Sequence, residues 1–236
     1  MNTETDNMLA VIRADLSSAA VGNEEYAEFN KRIVKTALDV IGVRTPDMRK
    51  IAKNYAKGLS ADTLSSFMES INEGVYEETL LVGLMIGYGV FSDEERRLLT
   101  ERYLTLCDSW GAIDLFVVRH QKYATSFWWD FAVSRLSSDN EFTVRYGVIM
   151  LMSNFLLPEY IDRVFESLRT VKHDGYYVKM AMAWLYAEAA VRFYEPTLRE
   201  VQQQSPWVRN KALQKMTESR RFAEEQKAEI RNLKVR

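Results

Sequence analysis

The chain has 236 residues, of which 47% are hydrophobic and 27% charged, with four prolines, ten glycines and a single cysteine. This is the balance of a soluble globular chain. One cysteine, Cys107, excludes an intrachain disulfide framework. So few turn residues disfavour an all-β fold, which needs a turn roughly every 8–12 residues. The net charge of −2 does not point to a strong nucleic-acid binder, but its distribution is uneven. Residues 1–120 hold 13 Lys and Arg against 19 Asp and Glu, whereas residues 121–236 hold 18 against 14. Two basic runs stand out, Lys31–Lys57 with eight cations and two acids, and Ser205–Arg236 with nine and four. Each is either a solvated helix face or part of a positive surface. The segment Met1–Asn7 is polar, and no stretch approaches the ~20 apolar residues of a membrane span. A cytoplasmic protein with no membrane association is expected.

Helical periodicity runs through nearly every window. Met8, Leu9, Ile12 and Leu16 form one stripe. Phe29, Ile33, Val34, Ala37, Leu38 and Ile41 form a second, which ends at Gly42. Thr45 can cap the next helix, with Pro46 at its first position, and that helix runs to Gly58. Ser60 caps another, which stops near Gly74. Further helices are expected at about 76–90, 92–104, 109–120, 123–137, 141–155, 158–169, 175–194, 196–204, 207–219 and 223–233. Ser92 with Glu95 makes a capping box. Asp139 or Asn140 can cap the helix that follows, and Asp174 the one near 175. The paired helices recur every ~30–40 residues, the period of helical repeats, although a globular bundle fits the same pattern.

Phosphate-loop and metal-protease motifs are absent. His120 and His173 stand alone, so no metal site and no cofactor is expected. The acid pairs Glu77–Glu78 and Glu94–Glu95 lie at helix starts, where they suit the helix dipole. Three segments carry more. In Asp108-Ser109-Trp110-Gly111-Ala112-Ile113-Asp114, Trp110 and Asp114 are four residues apart and share a helix face. A carboxylate between Ile113 and Leu115-Phe116 is either a paired structural group or a functional one. Arg145 lies in a mostly apolar helix, where an arginine needs a partner. Trp184 is flanked by Ala181 and Ala183, which leave room for another surface to approach.

These segments, in this order, resemble the AlkD-like DNA alkylation repair glycosylases over nearly the whole chain. In that family a tryptophan precedes the catalytic aspartate by four residues, as Trp110 precedes Asp114. An arginine follows a "DN" helix start, as Arg145 follows Asp139-Asn140. A second tryptophan of the lesion cleft matches Trp184. Gly42-Val43-Arg44-Thr45-Pro46-Asp47-Met48-Arg49 is similar to a family helix start, and Asn210-Lys211-Ala212-Leu213-Gln214-Lys215 to its tail. The chain departs from the pattern at Ile33, where an aromatic residue is usual, at Ala187, where an arginine is usual, and at Met180, the usual place of a lysine found here as Lys179.

The resemblance implies an all-α, single-domain curved solenoid of HEAT-like antiparallel helix pairs covering residues 1–236. It implies excision of cationic N3- or N7-alkylated purines from double-stranded DNA without a deep base-flipping pocket. Asp114 would be the catalytic carboxylate. Trp110, Trp184 and Arg145 would contact the lesion, and Arg44, Arg49, Lys179 and Lys211 the DNA backbone. A monomer is expected. Alkylation makes the purine a good leaving group, so one carboxylate suffices to stabilise the oxocarbenium-like sugar and position water. Two alternatives remain: a non-catalytic solenoid that binds distorted or branched DNA, and a protein-interaction scaffold.

Overall fold

A computed structural model describes residues 3–71, 74–116 and 125–234. The chain is all-α, with fourteen helices and no strand among the described residues. Its contacts gather into two compact units, residues 1–118 and 119–236. The first holds α1 (Thr3–Ala20), α2 (Glu24–Val34), α3 (Thr45–Tyr55), α4 (Ala61–Ser70), α5 (Tyr76–Tyr88), α6 (Asp93–Leu106) and α7 (Trp110–Phe116). The second holds α8 (Ser126–Arg135), α9 (Glu141–Asn154), α10 (Ile161–Arg169), α11 (Tyr176–Ala190), α12 (Tyr194–Val201), α13 (Pro206–Glu218) and α14 (Glu224–Asn232).

In the first unit α5 is buried continuously from Tyr76 to Ile86 and packs against α3, α6 and α7. A helix that is apolar all round has to be interior. The α1 stripe of Leu9, Ile12 and Leu16 is buried, as its spacing predicts. The second unit repeats the plan. Its central helix is α11, buried at Val178, at Ala181–Ala183 and from Leu185 to Ala187, with α9, α12 and α13 around it. α10 shows the opposite pattern, with one apolar face of Ile161, Val164, Phe165 and Leu168 turned inward. Burying such a stripe is what stabilises a short helix.

The second sequence stripe does not continue as helix to Ile41. α2 stops at Val34, because Lys35 takes the left-handed conformation (φ 54°) and closes the helix with a bond to the Lys31 carbonyl. Beyond it, carboxylates from distant segments supply acceptors that another helical turn would have provided. The Asp108 carboxylate accepts from the Thr36 hydroxyl at 2.8 Å and the Ala37 N–H at 2.7 Å. Glu77 accepts from the N–H groups of Ile41, Gly42 and Val43 at 3.1, 2.8 and 3.3 Å. Asp39 makes an isolated parallel bridge with Val75. Gly42 is therefore not a helix end. It has φ 91°, and a side chain there would press on the Asn23 carbonyl at 2.9 Å.

The acid pair Glu77–Glu78 is likewise more than a dipole complement, since both side chains are buried. Glu77 clamps the loop just described, and Glu78 takes the Arg13 guanidinium at 2.6 and 3.3 Å. In the second unit the buried Glu200 takes Arg169 in the same bidentate way. The Ser60, Ser92–Glu95 and Asn140 caps form as their sequence suggests. Two expected caps do not. Arg44 precedes α3, with Thr45 already helical and no side-chain cap bond. Gly175 precedes α11, because Asp174 turns instead to Lys179, 2.9 Å away. The helices expected at 109–120 and 123–137 are seen as α7 and α8, and residues 117–124, including His120, lie outside the described residues.

Glu77 serves three backbone donors of the loop after α2. Glu77→Gln should cost about 2–4 kcal/mol, as for a buried charged acceptor replaced by a half-matching amide. Glu95→Gln, at an exposed capping box, should cost under ~1 kcal/mol. Urea unfolding followed by far-UV circular dichroism compares the two.

Candidate functional site

Helix α7 is held at its start. Asp108 ties it to the segment after α2, and the buried Ser109 hydroxyl bonds the Tyr76 hydroxyl at 3.0 Å. Gly111 is needed beside them, because a Cβ there would collide with that same Tyr76 hydroxyl. Burial pushes the Tyr76 phenol well above its usual range, so it stays a neutral hydrogen-bonding group. One turn on, the Tyr103 hydroxyl donates to the Ala112 carbonyl at 3.1 Å, and its ring packs edge-on to Phe116 at 4.8 Å.

This anchorage presents Trp110 and Asp114 on one face of α7, both half-buried, above the fully buried Ile113. The Trp110 indole N–H donates to the Ile33 carbonyl at 3.1 Å. Ile33, the departure from the family pattern, thus serves this tryptophan through its backbone. On the same helix Phe29 is exposed, and Tyr26 lies under the Arg44 guanidinium at 4.6 Å from the ring centre.

In the second unit Trp184 and Ala187 line a shallow pocket of about 240 Å³ with Glu188, Lys215, Glu218, Ser219 and Arg221. The Trp184 N–H donates to Glu188 at 3.2 Å. Glu188 in turn holds Arg221 with two bonds, 2.8 and 2.6 Å. That pairing raises the Arg221 guanidinium above its ordinary value. Arg145 does not share these partners. It is only 5% exposed and donates to the Tyr177 carbonyl at 2.8 Å, joining α9 to the start of α11. Glu141, one turn before it, accepts from the Tyr177 N–H at 2.5 Å.

The backbone-binding candidates are nearer to solvent. Arg44 and Arg49 are exposed on the first turns of α3, where Arg49 donates to the Tyr88 hydroxyl at 3.0 Å. Lys179 and Lys211 both lie over the Trp207 ring, 5.4 and 5.9 Å from its centre. His173 accepts from the Gly175 N–H through Nδ1, so its Nε2 carries the proton given to the Asp139 carbonyl at 3.1 Å, and the ring is a structural strut. Cys107 is buried, and burial pushes its thiol far up, which leaves it unreactive at neutral pH. Among the described residues no three His, Cys, Asp or Glu side chains cluster as metal ligands, and no helix is long and apolar enough to cross a membrane.

Sequence reasoning overlooked Glu188, Arg221, Tyr76 and Trp207. One signal was available: Trp184-x-x-x-Glu188 repeats the spacing of Trp110-x-x-x-Asp114. The others depend on pairings across 33 residues in sequence, Tyr76 with Ser109 and Glu188 with Arg221, which no local pattern announces.

Two outcomes follow from these contacts. Gly111→Ala should destabilise the protein by about 1–3 kcal/mol through overpacking, and adding Tyr76→Phe should recover part of that loss. Thermal melts of the two single variants and the double variant measure the coupling. Glu188→Gln should loosen Trp184 and Arg221 together, so that acrylamide quenches more tryptophan fluorescence than in Trp184→Phe carrying the same change.

No curated protein matches the chain. The family described as DNA alkylation repair enzyme matches residues 12–218, a stretch that includes α7, Arg145 and Trp184. With most of its length so matched, the chain belongs to the DNA alkylation repair enzymes, which gives it a role in alkylation repair and makes DNA its partner.

Proposed function

We propose that the protein is a monofunctional DNA glycosylase that hydrolyses the N-glycosyl bond of cationic N3- and N7-alkylated purines in duplex DNA. The observation that carries this reading is the Trp110–Asp114 pair, presented half-exposed on a helix whose start is held by Asp108, Ser109 and Gly111. A carboxylate fixed in this way suits a developing positive charge better than a mobile one, because no reorganisation is needed as the charge appears.

The residues divide the work as follows. Asp114 stabilises the oxocarbenium-like sugar and orients the attacking water. The alkylated purine leaves as a neutral base, so no general acid is required. Trp110, beside Asp114, offers aromatic surface to a cationic base, an attraction of about 0.5–2 kcal/mol that a neutral base lacks, and Trp184 offers aromatic surface to the DNA from the second unit. Arg145 sets the start of α11 through the Tyr177 carbonyl and is assigned to a phosphate near the lesion. Arg44, Arg49, Lys179 and Lys211 take backbone phosphates, and they make binding weaken with salt. Excision without deep extrusion of the base is the mode we propose.

Two features favour HEAT-like helical repeats within a single domain, and a monomer is proposed with it. The family match runs across both units. Alternate helices pack in rows, α3 with α5 with α7 and α9 with α11 with α13, as repeat pairs do. The cytoplasm fits a DNA repair role.

The test is release of 7-methylguanine and 3-methyladenine from methylated duplex DNA under single-turnover conditions. Asp114→Asn should lower the rate by about 10²–10³, the usual cost of losing one preorganised electrostatic group. Full activity in Asp114→Asn would overturn the mechanism. Duplex binding without any base release by the wild type would instead make the protein a non-catalytic DNA-binding solenoid.

A further inference from the structure

In the second unit an aromatic ledge, none of whose rings is assigned to excision, lies beside the backbone-binding candidates Lys179 and Lys211. Tyr176 opens α11 and is 57% exposed, and Trp207 lies in the first turn of α13 and is 37% exposed. Their rings meet edge to face at 5.8 Å. Behind them Tyr177 packs on Tyr176 at 5.2 Å, and Phe142 of α9 packs on Tyr177 at 5.6 Å. Three neighbouring helices therefore contribute to one row of four rings. Lys179 of α11 and Lys211 of α13 each bring an ammonium group to the same indole, 5.4 and 5.9 Å from its centre.

Large aromatic side chains left in water in a group mark a place where something docks. The chemistry of the row states what that is. The lysines select an anion, and they are cheaply redirected. Lys179 pairs with the exposed Asp174 carboxylate, and Lys211 with the Gln214 amide oxygen at 2.9 Å. Exposed pairs of this kind contribute little, so a phosphate can replace either partner. The rings select a flat π face lying within about one side-chain length of that anion. A nucleotide supplies both at this spacing. In a duplex, however, the base faces are buried in the stack. Only an unpaired nucleotide can offer its face to Tyr176 or Trp207. An acidic peptide would satisfy the ammonium groups and leave the rings unmatched.

We infer that the Tyr176–Trp207 ledge, flanked by Lys179 and Lys211, binds a single-stranded nucleic-acid segment, with an unpaired base stacked on the exposed rings and the adjoining phosphates held by the lysines. This site goes beyond base excision and uses neither Asp114 nor Trp110. It lets the protein engage DNA that carries a gap or a single-stranded tail next to duplex.

The test uses unmodified, fluorescein-labelled DNA and reads anisotropy, so it is independent of base release. Wild-type protein is titrated with a blunt duplex and with the same duplex carrying a short single-stranded tail. The tail should tighten binding by about tenfold, the scale of one base stacked on an aromatic ring. Trp207→Ala should remove most of that gain while blunt-duplex affinity stays within about twofold, and Trp207→Phe should keep it. Tyr176→Ala should lower the gain in the same direction, and it serves as the test if Trp207→Ala lowers the melting temperature. Lys179→Gln with Lys211→Gln should reduce the salt dependence of tail binding by about two phosphate contacts. Equal affinity of the wild type for blunt and tailed duplex would overturn the inference. So would a tail preference that survives in Trp207→Ala and Tyr176→Ala, or displacement of the tailed DNA by an acidic peptide as readily as by single-stranded DNA.

Discussion

The Asp108 carboxylate accepts the Thr36 hydroxyl and the Ala37 N–H, and the place where α7 begins depends on those bonds. They stop one chain segment just after α2 and start another just before Trp110. Ser109 and Tyr76 then lock the helix start from below, where Gly111 leaves the only room for that hydroxyl. α7 is described from Trp110 to Phe116, and its start is tied to residues of other elements. Its position, and with it the positions of Trp110 and Asp114, comes from contacts made by residues outside it. Anchorage of this kind is what a carboxylate needs if it is to meet a developing cation without reorganising.

The repeated Trp-x-x-x-acid spacing shows how tertiary contacts divide like patterns between different roles. On α11 the Trp184 indole bonds the acid one turn away, and Arg221 covers that acid with two further bonds. On α7 the Trp110 indole reaches across to the Ile33 carbonyl instead. Glu188 is thus built into an ion pair that props up an aromatic wall, whereas on α7 the tryptophan is held by a backbone carbonyl. Arg221 also brings a guanidinium to the pocket wall where Ala187 offers none.

Charge counted along the chain misstates the charge that DNA would meet. Glu77 and Glu78 are buried, with Glu77 spent on three backbone N–H groups and Glu78 on Arg13. The acid excess of residues 1–120 therefore exaggerates the negative surface there, while Arg44 and Arg49 remain exposed. In the second unit Glu200 is buried against Arg169 in the same way. Carboxylates used inside the protein and cations left outside it reconcile a net charge of −2 with a DNA partner.

Much of the architecture was legible in the residues themselves. The 3.6-residue period, the Ser60, Ser92–Glu95 and Asn140 caps and the scarcity of proline determine an all-α chain, because these act over one or two turns. The Trp110–Asp114 spacing places both side chains on one helix face for the same local reason. What the sequence could not show was where competing long-range bonds win. The stripe from Phe29 to Ile41 reads as one helix, yet Asp108 and Glu77 draw its second half into a loop. Asp174 reads as a cap, yet Lys179 takes it. Arg145 reads as a cation in need of a partner, and the fold brings it the Tyr177 carbonyl from the start of α11. Each outcome turns on a partner more than 30 residues away or on the far side of a turn. Local pattern determines which elements can form, and only the folded chain decides which hydrogen-bonding groups reach one another, because each buried donor and acceptor must find a partner wherever the packing supplies one.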